Sequence, residues 1–297
     1  IEGRVFFNPS ALFLAPLFAP EKLEPKSSLA ESARLSAFPA EWRAEDRKSP
    51  FSAALITGPL AQSSPLLEML SASPGWRLAA ADNHGVLFLR GGRGMDEPTA
   101  ESAQILFPHA ADRAVYLAQS AMILQAVQRS DSAGKLMRLA LELGPENPHV
   151  LLLSASLASA EGRWSAAREA AQKVLKRTPS SAPASYILAL AMFESGAVSK
   201  ASAEIASLAA SHPNDSQILR LQARIASAEN DPATEVSALE QLLSLAKKQN
   251  QPTENLRVLL GQAWAKRGFP VQALENYQAA LEANPPPELK KQIEEAM

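Results

Sequence analysis

Pro145, Pro179 and Pro213 stand 34 residues apart, and the sequence around them repeats in step. Seventeen residues ahead of the second and third lie Gly162 and Gly196; twelve ahead lie Ala167 and Ala201. A small residue at a turn, an alanine where two helices cross and a proline after the second helix describe a helix-turn-helix unit that stacks on its own copies. Such a unit cannot bury its apolar face alone, so the period dictates a solenoid in which each copy covers the next. Strand signals vanish from about Ala114 onward, and helical periodicity replaces them.

With proline as the thirty-second position, units begin at Ala114, Pro148 and Ala182. The eighth position is then Ala121, Ala155 and Ala189, and the twentieth is Ala133, Ala167 and Ala201. A further unit begins near Glu254, with Gly261, Trp264, Gly268, Ala273, Tyr277, Ala280 and Pro285 in register. Between them lies a weaker unit from Ser216 to about Pro252, with Asn230 for the turn glycine and Glu235 for the alanine. The first unit has Gln128 at its turn. Pro213 and Pro285 are 72 residues apart, four more than two periods, and the surplus is assigned to a longer loop over Lys247 to Pro252. The polar segment 288–297 reads as a capping helix.

These residues resemble tetratricopeptide repeats, over five successive units and about 60% of the chain. The resemblance implies paired helices whose first members line a concave, protein-binding face. Carried over by register, that face includes Tyr186, Leu190 and Phe193 in the third unit. Arg220 and Arg224 follow in the fourth, and Gln262 in the fifth. An apolar strip beside two arginines suits an amphipathic or acidic-ended peptide. The same side chains also suit packing between neighbouring helices. The family's peptide-carboxylate clamp needs Lys and Asn residues that are not found here. Alanine-rich helix faces at 151–160 and 201–210 offer a route to a homodimer.

Ahead of the repeats, residues 5–94 carry mixed strand and helix signals. Val5-Phe6-Phe7 is a short apolar run ended by Asn8-Pro9, and a helix is possible from Ser28 to Ser36. Ala53 to Thr57 reads as a buried strand stopped by Gly58-Pro59. Ser64-Pro65 opens a helix that Pro74-Gly75 stop. Apolar runs at 76–80 and 86–90, around Asp82-Asn83-His84-Gly85, read as a β-hairpin. The expectation is a small α/β domain of about four strands, a linker at 95–113 and repeats at 114–287: an α+β chain overall. Residues 64–90 weakly resemble the soluble α/β tail of bacterial polytopic membrane proteins, glycosyltransferase-like enzymes among them.

Ile1-Glu2-Gly3-Arg4 matches a protease site used to remove tags and is set apart from the fold as a tag remnant. The apolar stretch from Val5 to Ala19 is broken by Pro9 and Pro16 and is too short to span a bilayer. The expectation is an extracytoplasmic, periplasmic chain, tethered in the full-length bacterial protein by an anchor further upstream; a cytoplasmic place is the alternative. The formal net charge of −2 argues against nucleic-acid partners. With no cysteine, disulfides, thiolate metal sites and cysteine nucleophiles are excluded.

Catalytic signals are weak. His84, His109, His149 and His212 lack ligand spacing and read as helix-boundary or turn residues. Gly91-Gly92-Arg93-Gly94 precedes Asp96 and Glu97, which would repel a phosphate, so it reads as a linker. Glu41, Glu45 and Asp46 lie among Arg43, Arg47 and Lys48, a mixed-sign pattern typical of a solvated helix or loop. No catalytic, metal or cofactor site is expected. A non-enzymatic scaffold for a protein or peptide is the leading reading; the tail of a membrane-bound glycosyltransferase-like enzyme is the runner-up.

Overall fold

The computed structural model describes residues 38–48, 50–57, 65–81, 85–91, 103–104, 107–249, 251–283 and 285–296. Two compact units divide the chain, 1–157 and 158–297. The runs at Val5–Phe7 and Ser28–Ser36 lie outside the described residues.

In the first unit, β1 (Ala53–Thr57), β2 (Trp76–Ala81) and β3 (Gly85–Arg90) form an antiparallel sheet in the order β1-β3-β2. Three strands are described where about four were expected. The hairpin β2–β3 is as expected; β1 returns to the far side of β3, pairing Ile56 with Val86. In β3 the alternation puts Val86 and Phe88 in the core and leaves their neighbours half-buried. Helix α1 is Pro39–Lys48 and α2 is Pro65–Ser71. Four apolar residues of α2, Leu66, Leu67, Met69 and Leu70, are buried. Glu68 in its first turn complements the positive helix end.

The mixed-sign stretch at 41–48 is α1, and its one buried side chain is Trp42. Trp42 packs 5.2 Å from the Phe51 ring and 5.4 Å from the Trp76 ring. Asp46 is not merely solvated: it takes an ion pair from Arg90 at 2.5 Å and accepts a hydrogen bond from the Phe51 amide at 2.8 Å. Arg90 also donates to the Phe51 carbonyl and stands 4.8 Å from the Trp76 centroid. This joins the end of β3 to α1.

The same unit holds α3 (Ala110–Ala126), α4 (Ser130–Leu143) and most of α5 (Pro148–Ala160). One apolar core runs from Trp42, Leu70 and Phe88 through Tyr116, Leu117 and Leu124 to Met137 and Val150. This continuity moves the division between compact units from the expected linker at 95–113 into α5. Helix α3 also begins at Ala110, four residues ahead of the expected Ala114.

The second unit contains α6 (Trp164–Arg177), α7 (Ala182–Glu194), α8 (Val198–Ser211), α9 (Ser216–Glu229), α10 (Pro232–Lys248), α11 (Glu254–Lys266), α12 (Pro270–Glu282) and α13 (Pro287–Ala296). Each packs on the next in sequence. The surplus residues do not all enter a loop. Helix α10 has 17 residues where α6 and α8 have 14, because Leu242, Leu243 and Ala246 continue its buried face. No helix among the described residues is long and apolar enough to cross a membrane.

The turns inside the five described helix pairs share one geometry. Gln128, Gly162, Gly196, Asn230 and Gly268 have φ between +56° and +84°. The amide after each donates to the carbonyl five residues back, as in Arg163 to Ala158 and Ala197 to Met192, both at 2.8 Å. This pair of left-handed residue and backward bond satisfies the carbonyls left at a helix end. Helix starts also repeat: Asn147, Ser181 and Asp215 each cap the following helix through a side-chain oxygen.

Glutamine carries a steric cost in the left-handed region that glycine avoids. Gln128→Gly is therefore expected to stabilise the chain by roughly 0.5–1 kcal/mol, after glycine's greater unfolded-state entropy is subtracted. Gly196→Ala is expected to cost about 1 kcal/mol, and no atom lies within 4 Å of the added Cβ, so that cost is conformational alone. Thermal unfolding followed by circular dichroism checks both signs.

Candidate functional site on the first-helix face of residues 182–266

Helices α7, α9 and α11 are the first helices of three successive units, and α7 touches α9 directly. Tyr186, Leu190 and Phe193 follow one face of α7 and are half-buried against a core containing Ala201, Ile205, Ile218 and Leu221. Each spends part of its surface on packing and presents the rest to solvent.

Arg224 on α9 completes the cluster. Its guanidinium lies 5.1 Å from the Phe193 ring centroid, and its Nη2 is 2.7 Å from Oε1 of Glu194. Guanidinium over an aromatic face, held by a carboxylate, is a favourable and oriented arrangement. Burial pushes the Tyr186 phenol above its usual pKa; nearby Arg224 opposes this and Asp215 adds to it. The phenol thus stays a neutral hydrogen-bond donor across ordinary pH. One turn earlier, Arg220 is exposed and has no ion-pair partner among the described residues. Gln262 is exposed on α11, and no hydrogen bond joins it to this group.

A second polar link was not foreseen from sequence. Glu235, standing where the repeat expects alanine, is 6% exposed. Its carboxylate is 3.3 Å from Lys266 Nζ, which also donates to Ser227 Oγ at 2.9 Å. Ser227 and Lys266 occupy the ends of α9 and α11, so the buried acid anchors a cation on the first-helix face. The signal available was the coincidence of one acid at a packing position with one lysine in the following unit.

Lys266→Ala leaves Glu235 without its cation and is expected to cost about 1–2 kcal/mol, less than a fully buried pair because Lys266 is half-exposed. Glu235→Ala restores the small residue and is expected to cost less. Urea denaturation of the two variants orders them.

The alanine stripes proposed for a dimer are partly committed elsewhere: Ala155, Ala158, Ala201 and Ala209 are buried within the chain. Among the described residues, no group of three or more histidine or acidic side chains is placed to hold a metal ion.

Stacked helix pairs, closed by a left-handed residue and sealed by small residues where the helices cross, define a helical-repeat solenoid. Residues 158–225 match the family model described as tetratricopeptide repeat. The fold is similar to that of PilW, described as a widely conserved type IV pilus biogenesis factor. The two share 17% identity over 65% of this chain and 87% of that one, with a TM-score of 0.55. It is also similar to YrrB, described as a TPR protein with an unusual peptide-binding site, at 14% identity over 67% and 99% of the two chains and a TM-score of 0.54. For the MamA protein the figures are 18% identity, 60% and 93% coverage, and a TM-score of 0.52. No curated protein matches the chain.

Proposed function

We propose that this chain is a non-enzymatic interaction scaffold that binds a protein or peptide along the first-helix face of residues 182–266. The observation that carries this reading is the juxtaposition of Tyr186, Leu190 and Phe193 with Arg224, beside exposed and unpaired Arg220. An amphipathic helix or acidic-ended peptide satisfies both halves: apolar side chains cover the strip and a carboxylate meets Arg220. YrrB, by its description, binds peptide on the same kind of fold, which agrees with this use.

The test is affinity capture with the whole chain, compared with an Arg220→Glu/Arg224→Glu double variant. The partner is expected to be lost from the double variant and retained by Lys135→Ala, a control on another helix. Equal capture by all three forms would place binding elsewhere.

The finer reading sets the scaffold outside the cytoplasm of a bacterium, tethered to the membrane. It is supported by the resemblance of residues 64–90 to the soluble tails of envelope proteins. Protease accessibility of the full-length protein in spheroplasts, against a cytoplasmic marker, tests this placement directly.

A further inference from the structure

A cleft of about 300 Å³ opens in the unit of residues 1–157, apart from the first-helix face described above. Buried Leu78, Phe88 and Val127 line it together with Ser71 and the exposed Arg77 and Arg129. No acidic residue lines it, and neither arginine has an ion-pair partner among the described residues. Two arginines lining one cleft concentrate positive charge there, which favours an anion. We propose that this cleft is a binding site for a carboxylate carried on a short apolar stem.

Local irregularities flank both arginines. Arg77 precedes a register shift in β2, between Leu78 and Ala80, and such bulges redirect strand side chains. Arg129 follows Gln128, which holds a left-handed turn although it is not glycine. The corresponding residue one unit later, Arg163, is neutralised by Glu161 at 2.5 Å. At Glu161's position the first unit has Val127, so Arg129 loses that acid and the cleft gains an apolar wall. Arginine suits a carboxylate because its fork meets both oxygens, and the apolar lining favours an organic acid over a bare inorganic anion. The volume lies at the low end for ligand sites and admits a group about the size of one residue.

The test uses the whole chain and titration calorimetry with three probes: N-acetyl-leucine, its uncharged amide, and hexanoate. N-acetyl-leucine is expected to bind at least tenfold more tightly than the amide. Arg77→Ala and Arg129→Ala are each expected to weaken it fivefold or more, while Lys135→Ala leaves it unchanged. Arg129→Lys, which keeps the charge but not the fork, is expected to fall between wild type and Arg129→Ala. Binding of hexanoate as tight as N-acetyl-leucine supports the site as one for free acids; preference for N-acetyl-leucine supports it as one for a peptide terminus. Amide binding equal to acid binding, no loss in either alanine variant, or no binding of any acid probe overturns the proposal.

Discussion

Substituting Phe88 with alanine is expected to destabilise residues 38–157 by about 3–5 kcal/mol, the range for truncating a buried phenylalanine. Phe88 is 1% exposed on the central strand, paired with Ala54 on one side and Leu78 on the other. Its ring belongs to the core shared by the sheet, α2 and α3, so its removal takes contacts from all three. Against a total stability of about 5–15 kcal/mol for a typical domain, that loss is a large fraction. Urea unfolding followed by tryptophan fluorescence reads it, since Trp42 and Trp76 report on this core. Leu87→Ala is the comparison: it lies half-buried on the opposite face of the same strand and is expected to cost far less. Equal costs for Phe88→Ala and Leu87→Ala would contradict the burial pattern of β3.

Gly261→Leu is expected to cost about 3 kcal/mol and to release the last helix pair. A Cβ at Gly261 would stand 2.5 Å from Cε1 and 2.8 Å from Cδ1 of Tyr277, closer than atoms can approach. The reason lies in compensation between two repeat positions. Earlier units place alanine where Gly261 stands, opposite Met137, Ala171, Ile205 or Leu239; only the last places a buried tyrosine there, and it needs glycine. Gly261→Ala ordinarily gains about 1 kcal/mol in a helix, and here the ring cancels that gain. Tyr277→Leu made together with Gly261→Ala is expected to restore stability. Because stacked repeats interact with their neighbours, hydrogen exchange in Gly261→Leu is expected to rise in α11 and α12 while α7 and α8 keep their protection. Uniform loss of protection throughout 158–297 would show that the helix pairs unfold as one block.

How far the sequence reaches is visible element by element. The unit starts at Pro148, Ala182 and Ser216 follow from the 34-residue period, and that at Glu254 from the register of Gly261, Trp264, Gly268 and Pro285. Gln128 and Asn230 look like weak spots in that pattern, yet they adopt the same left-handed turn as the glycines. The turn is imposed by packing of the paired helices, and local preference yields to it. The sheet order β1-β3-β2 is not legible, since pairing of β1 with β3 is a long-range choice with no local marker. Trp42 gives no signal either: it is one apolar residue in a charged helix, buried only because Phe51 and Trp76 meet it.

The site divides in the same way. Tyr186, Leu190 and Phe193 are found by register because their spacing follows one helix face. Register puts Arg224 beside them as well, but its bond to Glu194 joins side chains 30 residues apart and appears only in the folded chain. The link from Lys266 to Glu235 depends on a buried acid, which sequence marks only as a departure from alanine.

Site-specific photo-crosslinking tests the account most directly. A photoreactive phenylalanine analogue is placed at Gln262 on the first-helix face, or at Val271 or Leu274, exposed on the second helix of the last unit. Each variant of the whole chain is irradiated with the partner bound. Adducts from Gln262, with none from Val271 and Leu274, are the predicted result. Adducts confined to Val271 and Leu274 would contradict it and move recognition to the opposite helices.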